Sequence, residues 1–135
     1  MNKEELKKYI ALKMEAEELR IQAERLEEDI RDLKAVVMDG MPKGNSTNDS
    51  IGNLVARVDK LRRDYLHKYD EALCELYKIE RCIESLEDET ERRLMRKRYI
   101  QGLHWEDICV DLHYEWAQTH RIHAKVLKRI NNNTK

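Results

Sequence analysis

Through the first third of this chain, apolar residues recur every seven positions. Tyr9, Ala16, Ala23, Ile30 and Val37 form one line of the repeat. Leu12, Leu19, Leu26 and Leu33 form a second line three residues later. Together they make an a/d seam sustained over about four heptads, with Glu, Lys and Arg filling the positions between. A seam of this period suits a helix packed along one side and cannot sit on a two-residue strand repeat. The spacing predicts a first helix near 2–39. Gly40 is suited to the left-handed position after it, and Pro42 prevents its continuation.

Punctuation is otherwise sparse. The chain has four Gly, one Pro and no Phe in 135 residues, and 39% of it is charged. That balance favours long helices over sheets. Two of the glycines and the proline fall in "DGMPKGNSTND", Asp39–Asp49, which reads as a hairpin turn with Asp49 or Ser50 capping the next helix. That second helix is expected near 50–89. Its seam is Ile51, Leu54, Val58, Leu61, Tyr65, Tyr69, Ala72, Leu76, Ile79, Ile83 and Leu86. The two four-residue steps at Leu61, Tyr65 and Tyr69 are a stutter, which unwinds a left-handed supercoil locally. Antiparallel pairing of the two helices is the simplest topology. A lone hairpin leaves most of its surface wet, so a homodimer through this region is expected. The rival is a monomer with the C-terminal tail folded back on the hairpin.

Past Glu91 the pattern changes. Residues 92–135 hold ten Lys/Arg against four acids, so this segment is +6 while residues 1–91 are −7. A basic tail on an acidic body suits a polyanionic partner. Short helices are expected near 91–101, 104–112 and 115–130. Gly102 stops the first, and "HY" (His113, Tyr114) turns between the other two. Three short helices with a basic last one fit a helix-turn-helix. The expected fold is therefore all-α: a long antiparallel helical hairpin (coiled coil) over 1–90, the dimerisation region, followed by a small helix-turn-helix domain over 91–135.

The stretch Leu103 to Ile130 resembles region 4 of bacterial sigma factors at Glu106, Asp107, Ile108, Leu112 and Tyr114, with Cys109 in the place of a small Ala. The later core positions are Ile122, Val126, Leu127 and Ile130. More closely, "RKRYIQGLHWEDICVDLHY" resembles a motif of small phage and prophage proteins that join an N-terminal coiled coil to a sigma-region-4-like tail. They are related to phage late-gene transcription activators, and an "MPKG…D" loop between two long helices recurs among them. In this chain His113 stands where the turn glycine is usual, at a position that calls for positive φ. Glu115 replaces the usual Ser cap, and Trp116 an early polar or basic residue.

The resemblance implies a DNA-binding transcriptional regulator whose recognition helix, 115–130, lies in the major groove of double-stranded DNA. Trp116, Gln118, His120, Arg121 and Lys125 would then face the groove, Arg121 and Gln118 making bidentate base contacts. Lys125, Lys128, Arg129 and the basic run Arg92–Arg98, including Arg96 and Arg98, would hold phosphates. The alternative is an adaptor that keeps the fold and docks RNA polymerase or another phage or host protein through Trp116 and Tyr114.

Other chemistries have little footing. Cys109 with His113 and His120 with His123 have zinc-compatible spacing, yet paired close cysteines are missing and no metal or cofactor is expected. No glycine-rich phosphate loop or Ser/His/Asp setting is present, so no enzyme is expected. Cys74, Cys82 and Cys109 read as reduced thiols. No apolar run approaches the ~18–20 residues that span a membrane, and "MNKEELKKYI" lacks a signal-peptide apolar stretch; a cytoplasmic protein is expected.

Overall fold

A computed structural model describes residues 1–38 and 45–133. It is all-helical: five helices account for 88% of the described residues, and no strand occurs among them. They are α1 (Lys3–Met38), α2 (Asn45–Glu84), α3 (Glu89–Tyr99), α4 (Trp105–Leu112) and α5 (Trp116–Asn132). The turn read from Asp39, with Gly40 and Pro42, lies outside the described residues. The stretch Asn45–Asp49, read as loop, belongs instead to α2. Small polar residues are tolerated there because first-turn N–H groups have no intrahelical partner in any case.

The chain forms two compact units, and both draw on α1 and α2. Residues 13–70 make one of them. Its buried residues follow the first heptad line, Ala16, Ala23 and Ile30 on α1, with Val58 and Leu61 on α2. The second line, Leu19, Leu26 and Leu33, is only half-buried. Ion pairs join Glu27 to Arg62 and, at 3.2 Å, Glu15 to Lys68. Tyr69, expected in the seam, is 42% exposed. Each four-residue step turns about 40° past a full turn, so two in a row carry Tyr69 off the buried side. The next step, of three residues, returns the helix to it at Ala72, which is buried.

The other unit combines residues 1–12 with 71–135. Leu6, Tyr9, Ala72, Ile79, Ile83 and Leu86 share one apolar core with Leu94, Met95, Tyr99, Ile108, Leu112, Val126 and Ile130. This unit takes in residues on both sides of residue 90, and the three short helices bury their apolar sides on residues of the two long ones. Helix α2 stops at Glu84, five residues before the expected end. Ser85 Oγ donates to the Cys82 carbonyl at 2.6 Å, and Arg92 donates to the carbonyls of Leu86 (2.6 Å) and Glu87 (2.8 Å). The serine bond closes the last turn of α2, and the arginine bonds satisfy carbonyls of the short link that follows it. Asp88 then caps α3, its Oδ1 accepting from the N–H of Thr90 at 2.7 Å. Gly102 adopts φ 72°, and a Cβ there would sit 3.3 Å from Ile10 Cδ1. Only glycine satisfies both demands without strain.

Candidate nucleic-acid interface

The turn between α4 and α5 is built by His113, which adopts φ 60° and ψ 36°. The N–H of His113 reaches the Val110 carbonyl at 3.2 Å, and that of Tyr114 reaches Cys109 at 3.1 Å. This bond pair ends a helix with a left-handed residue in the position glycine usually takes. The positive φ expected at His113 from its place in the sequence is what the backbone adopts. Glu115 precedes α5 in an extended conformation and makes no side-chain cap bond.

Helix α5 sorts its residues sharply. Thr119, His123, Val126 and Ile130 are buried, whereas Gln118, Arg121, Lys125 and Lys128 are exposed. The exposed four are spaced three, four and three residues apart and so share one side of the helix. Ala117 and Ala124 lie exposed alongside them, and α5 contains no acid. Arg121 Nε reaches the Ala117 carbonyl at 3.3 Å, and its guanidinium remains on the exposed side. Asp111 pairs with Lys97 at 3.2 Å.

Other expected contact residues are used within the fold. Arg129 makes a two-pronged bond to Glu91, at 2.7 and 3.2 Å, and Glu91 is only 6% exposed. An acid buried to that degree requires a partner, and Arg129, 38 residues away in sequence, supplies it. The carboxylate in turn raises the pKa of Arg129. The Arg98 guanidinium lies 4.8 Å over the Trp105 ring and donates to the Leu103 carbonyl at 2.9 Å. Arg96 stays exposed.

His120 does not face solvent. Its ring sits between two indoles, 4.7 Å from Trp105 and 4.3 Å from Trp116, and its buried Nε2 has no hydrogen-bond partner. The four-residue spacing of Trp116 and His120 was a legible sign of that contact. Its other half, Trp105, comes from a different helix. Trp116 is 53% exposed, while Tyr114 is half-buried against the core. No three His, Cys, Asp or Glu side chains cluster in a metal-binding arrangement among the described residues. Cys109 Sγ instead donates to Thr119 Oγ1 at 3.4 Å.

Beneath this surface, Tyr99 Oη lies 2.6 Å from His123 Nε2. Burial pushes the pKa of His123 down to about 4, and the charges of Lys3, His120 and Arg98 lower it further. Burial also pushes Tyr99 up to about 12. The neutral imidazole shares this hydrogen bond with the tyrosine hydroxyl, and Trp105 packs edge-on against it at 4.5 Å. Between pH 6.5 and 4 the unfolded chain holds a proton at this site that the folded one rejects. Stability therefore falls as pH drops through that window, by about 3 kcal/mol at its acid end. Urea unfolding of the wild type and of His123→Gln should show a shallower acid loss in the variant. Identical slopes would contradict a buried neutral His123.

Comparison with protein-family models, with curated proteins and with solved structures finds no match to this chain.

Proposed function

We propose that this chain is a sequence-specific DNA-binding regulator of phage or prophage type that works in the cytoplasm as a homodimer. Helices α3–α5 act as a sigma-region-4-like helix-turn-helix, with α5 in the major groove. The observation that carries this is the single acid-free side of α5 presenting Gln118, Arg121, Lys125 and Lys128, aimed by the left-handed turn at His113. Gln118 and Arg121, in the first turns, have the fork geometries that read adenine and guanine. Lys125, Lys128 and Arg96 supply phosphate contacts, whereas Arg98 and Arg129 act through the fold. The adaptor alternative is weaker because Tyr114, one of its two anchors, is half-buried in the core.

Helices α1 and α2 form the antiparallel hairpin of the dimer. Leu66, Tyr69, Leu73 and Tyr77 line one side of α2 and are 42–63% exposed. This stripe lies beside the buried side of the helix, so α2 is apolar over a wider arc than one neighbour covers. The occupant that fits is a second copy. Sedimentation at micromolar concentration should give a dimer, and Leu66→Asp with Leu73→Asp a helical monomer. A wild-type monomer would contradict the pairing. No helix among the described residues is long and apolar enough to cross a membrane.

Selection from random duplexes by the full chain tests the whole proposal. Enrichment of a site with two-fold related halves is expected. Absence of any enriched sequence would contradict it.

A further inference from the structure

We infer that Trp116 reads the 5-methyl group of thymine, so that the selected half-site carries a required T·A pair opposite the first turn of α5. The inference rests on α5 being the groove helix and adds the base that this turn recognises.

Trp116 is the first residue of α5 and is 53% exposed. Its inner face is held by a stack of side chains from three helices. His120 lies 4.3 Å behind it, Trp105 lies 4.7 Å behind His120, and the Arg98 guanidinium sits 4.8 Å over Trp105. Leaving His120 Nε2 buried and unpaired is costly. The imidazole is held there by its ring contacts with the two indoles. Its evident use is to hold Trp116, and an indole fixed before binding loses little rotamer freedom on contact.

The surroundings indicate what that indole meets. Among the described residues of α5, Trp116 is the large apolar side chain left exposed, and the exposed residues beside it along the chain are Glu115, Ala117 and Gln118, with Arg121 further along the helix. A protein hot spot needs surrounding contacts that exclude water from the anchor. A single indole among exposed polar and charged side chains lacks them. The major groove offers the matching pattern: hydrogen-bonding base edges interrupted by the thymine methyl, the one apolar group there. Exposed Ala117, with its small side chain, lets the helix approach closely.

The test uses the full chain and duplexes enriched by selection, with each thymine replaced in turn by deoxyuridine, which removes only the methyl. Wild-type affinity should drop roughly fourfold at one thymine per half-site, the factor for one buried methyl-sized group. Trp116→Ala should bind the two duplexes equally. His120→Phe, which keeps a stacked ring, should retain the preference that His120→Ala loses. The inference is overturned if the wild type binds every substituted duplex as tightly as the parent, or if Trp116→Ala still discriminates. Failure to bind any duplex would be a different result, one that removes the DNA-binding assignment itself.

Discussion

Replacing Leu94 with Ala is expected to lower the unfolding free energy by about 2–5 kcal/mol, a large share of what a domain of this size holds in reserve. Leu94 is fully buried in α3, within the core shared by residues 6–9, 72–86 and 94–130. Its removal leaves a cavity that helix ends anchored on three sides cannot close. Tryptophan fluorescence during urea unfolding reports the effect, since Trp105 packs against this core. The heptad alone would direct the same experiment to Leu26 or Leu76. Both are half-buried, so they should cost less. Val110→Ala, at a residue 71% exposed and outside the proposed dimer stripe, serves as the control and should cost little. A loss below about 1 kcal/mol for Leu94→Ala would mean that α3 does not share this core.

Arg121→Ala is expected to cost about 1–3 kcal/mol in affinity for the selected site and to relax preference at one base position. Lys128→Ala should weaken binding to all sequences alike. Both residues are exposed on the same side of α5, so the contrast isolates chemistry from placement. Arg121 lies one turn past the helix start, where a planar fork can reach a guanine edge, while Lys128 lies two turns further along. Affinity measured on selected and scrambled duplexes gives the specificity ratio. Equal losses on both duplexes for Arg121→Ala would place it on phosphate rather than on a base.

How much of this was legible in the sequence depends on how far apart the interacting residues lie. The heptad in residues 9–37 identified α1 and its buried line of Tyr9, Ala16, Ala23 and Ile30. Gly102 and the pattern around Ile108 and Leu112 placed the short helices to within two residues. The placement of His113 at a turn position also indicated its left-handed backbone. Periodicity tells which residues share a side but not what covers it. Tyr69 therefore looked like seam, and Leu12, Leu19, Leu26 and Leu33 looked as buried as the alanines beside them. Contacts between remote segments left no local trace. Arg129 looked like a phosphate contact, but Glu91 lies beneath it, and His120 looked like a groove residue, but Trp105 reaches it from α4.

The proposed function is tested most directly by the salt dependence of duplex binding. Each phosphate contact contributes about −0.9 to the slope of log affinity against log salt concentration. Lys125, Lys128 and Arg96, the proposed phosphate contacts, are exposed on each chain. A dimer using most of them should show a slope steeper than about −3, with the selected duplex bound more tightly than a scrambled one at every salt concentration. A slope near zero, or no difference between the two duplexes, would contradict a DNA-reading role for α5.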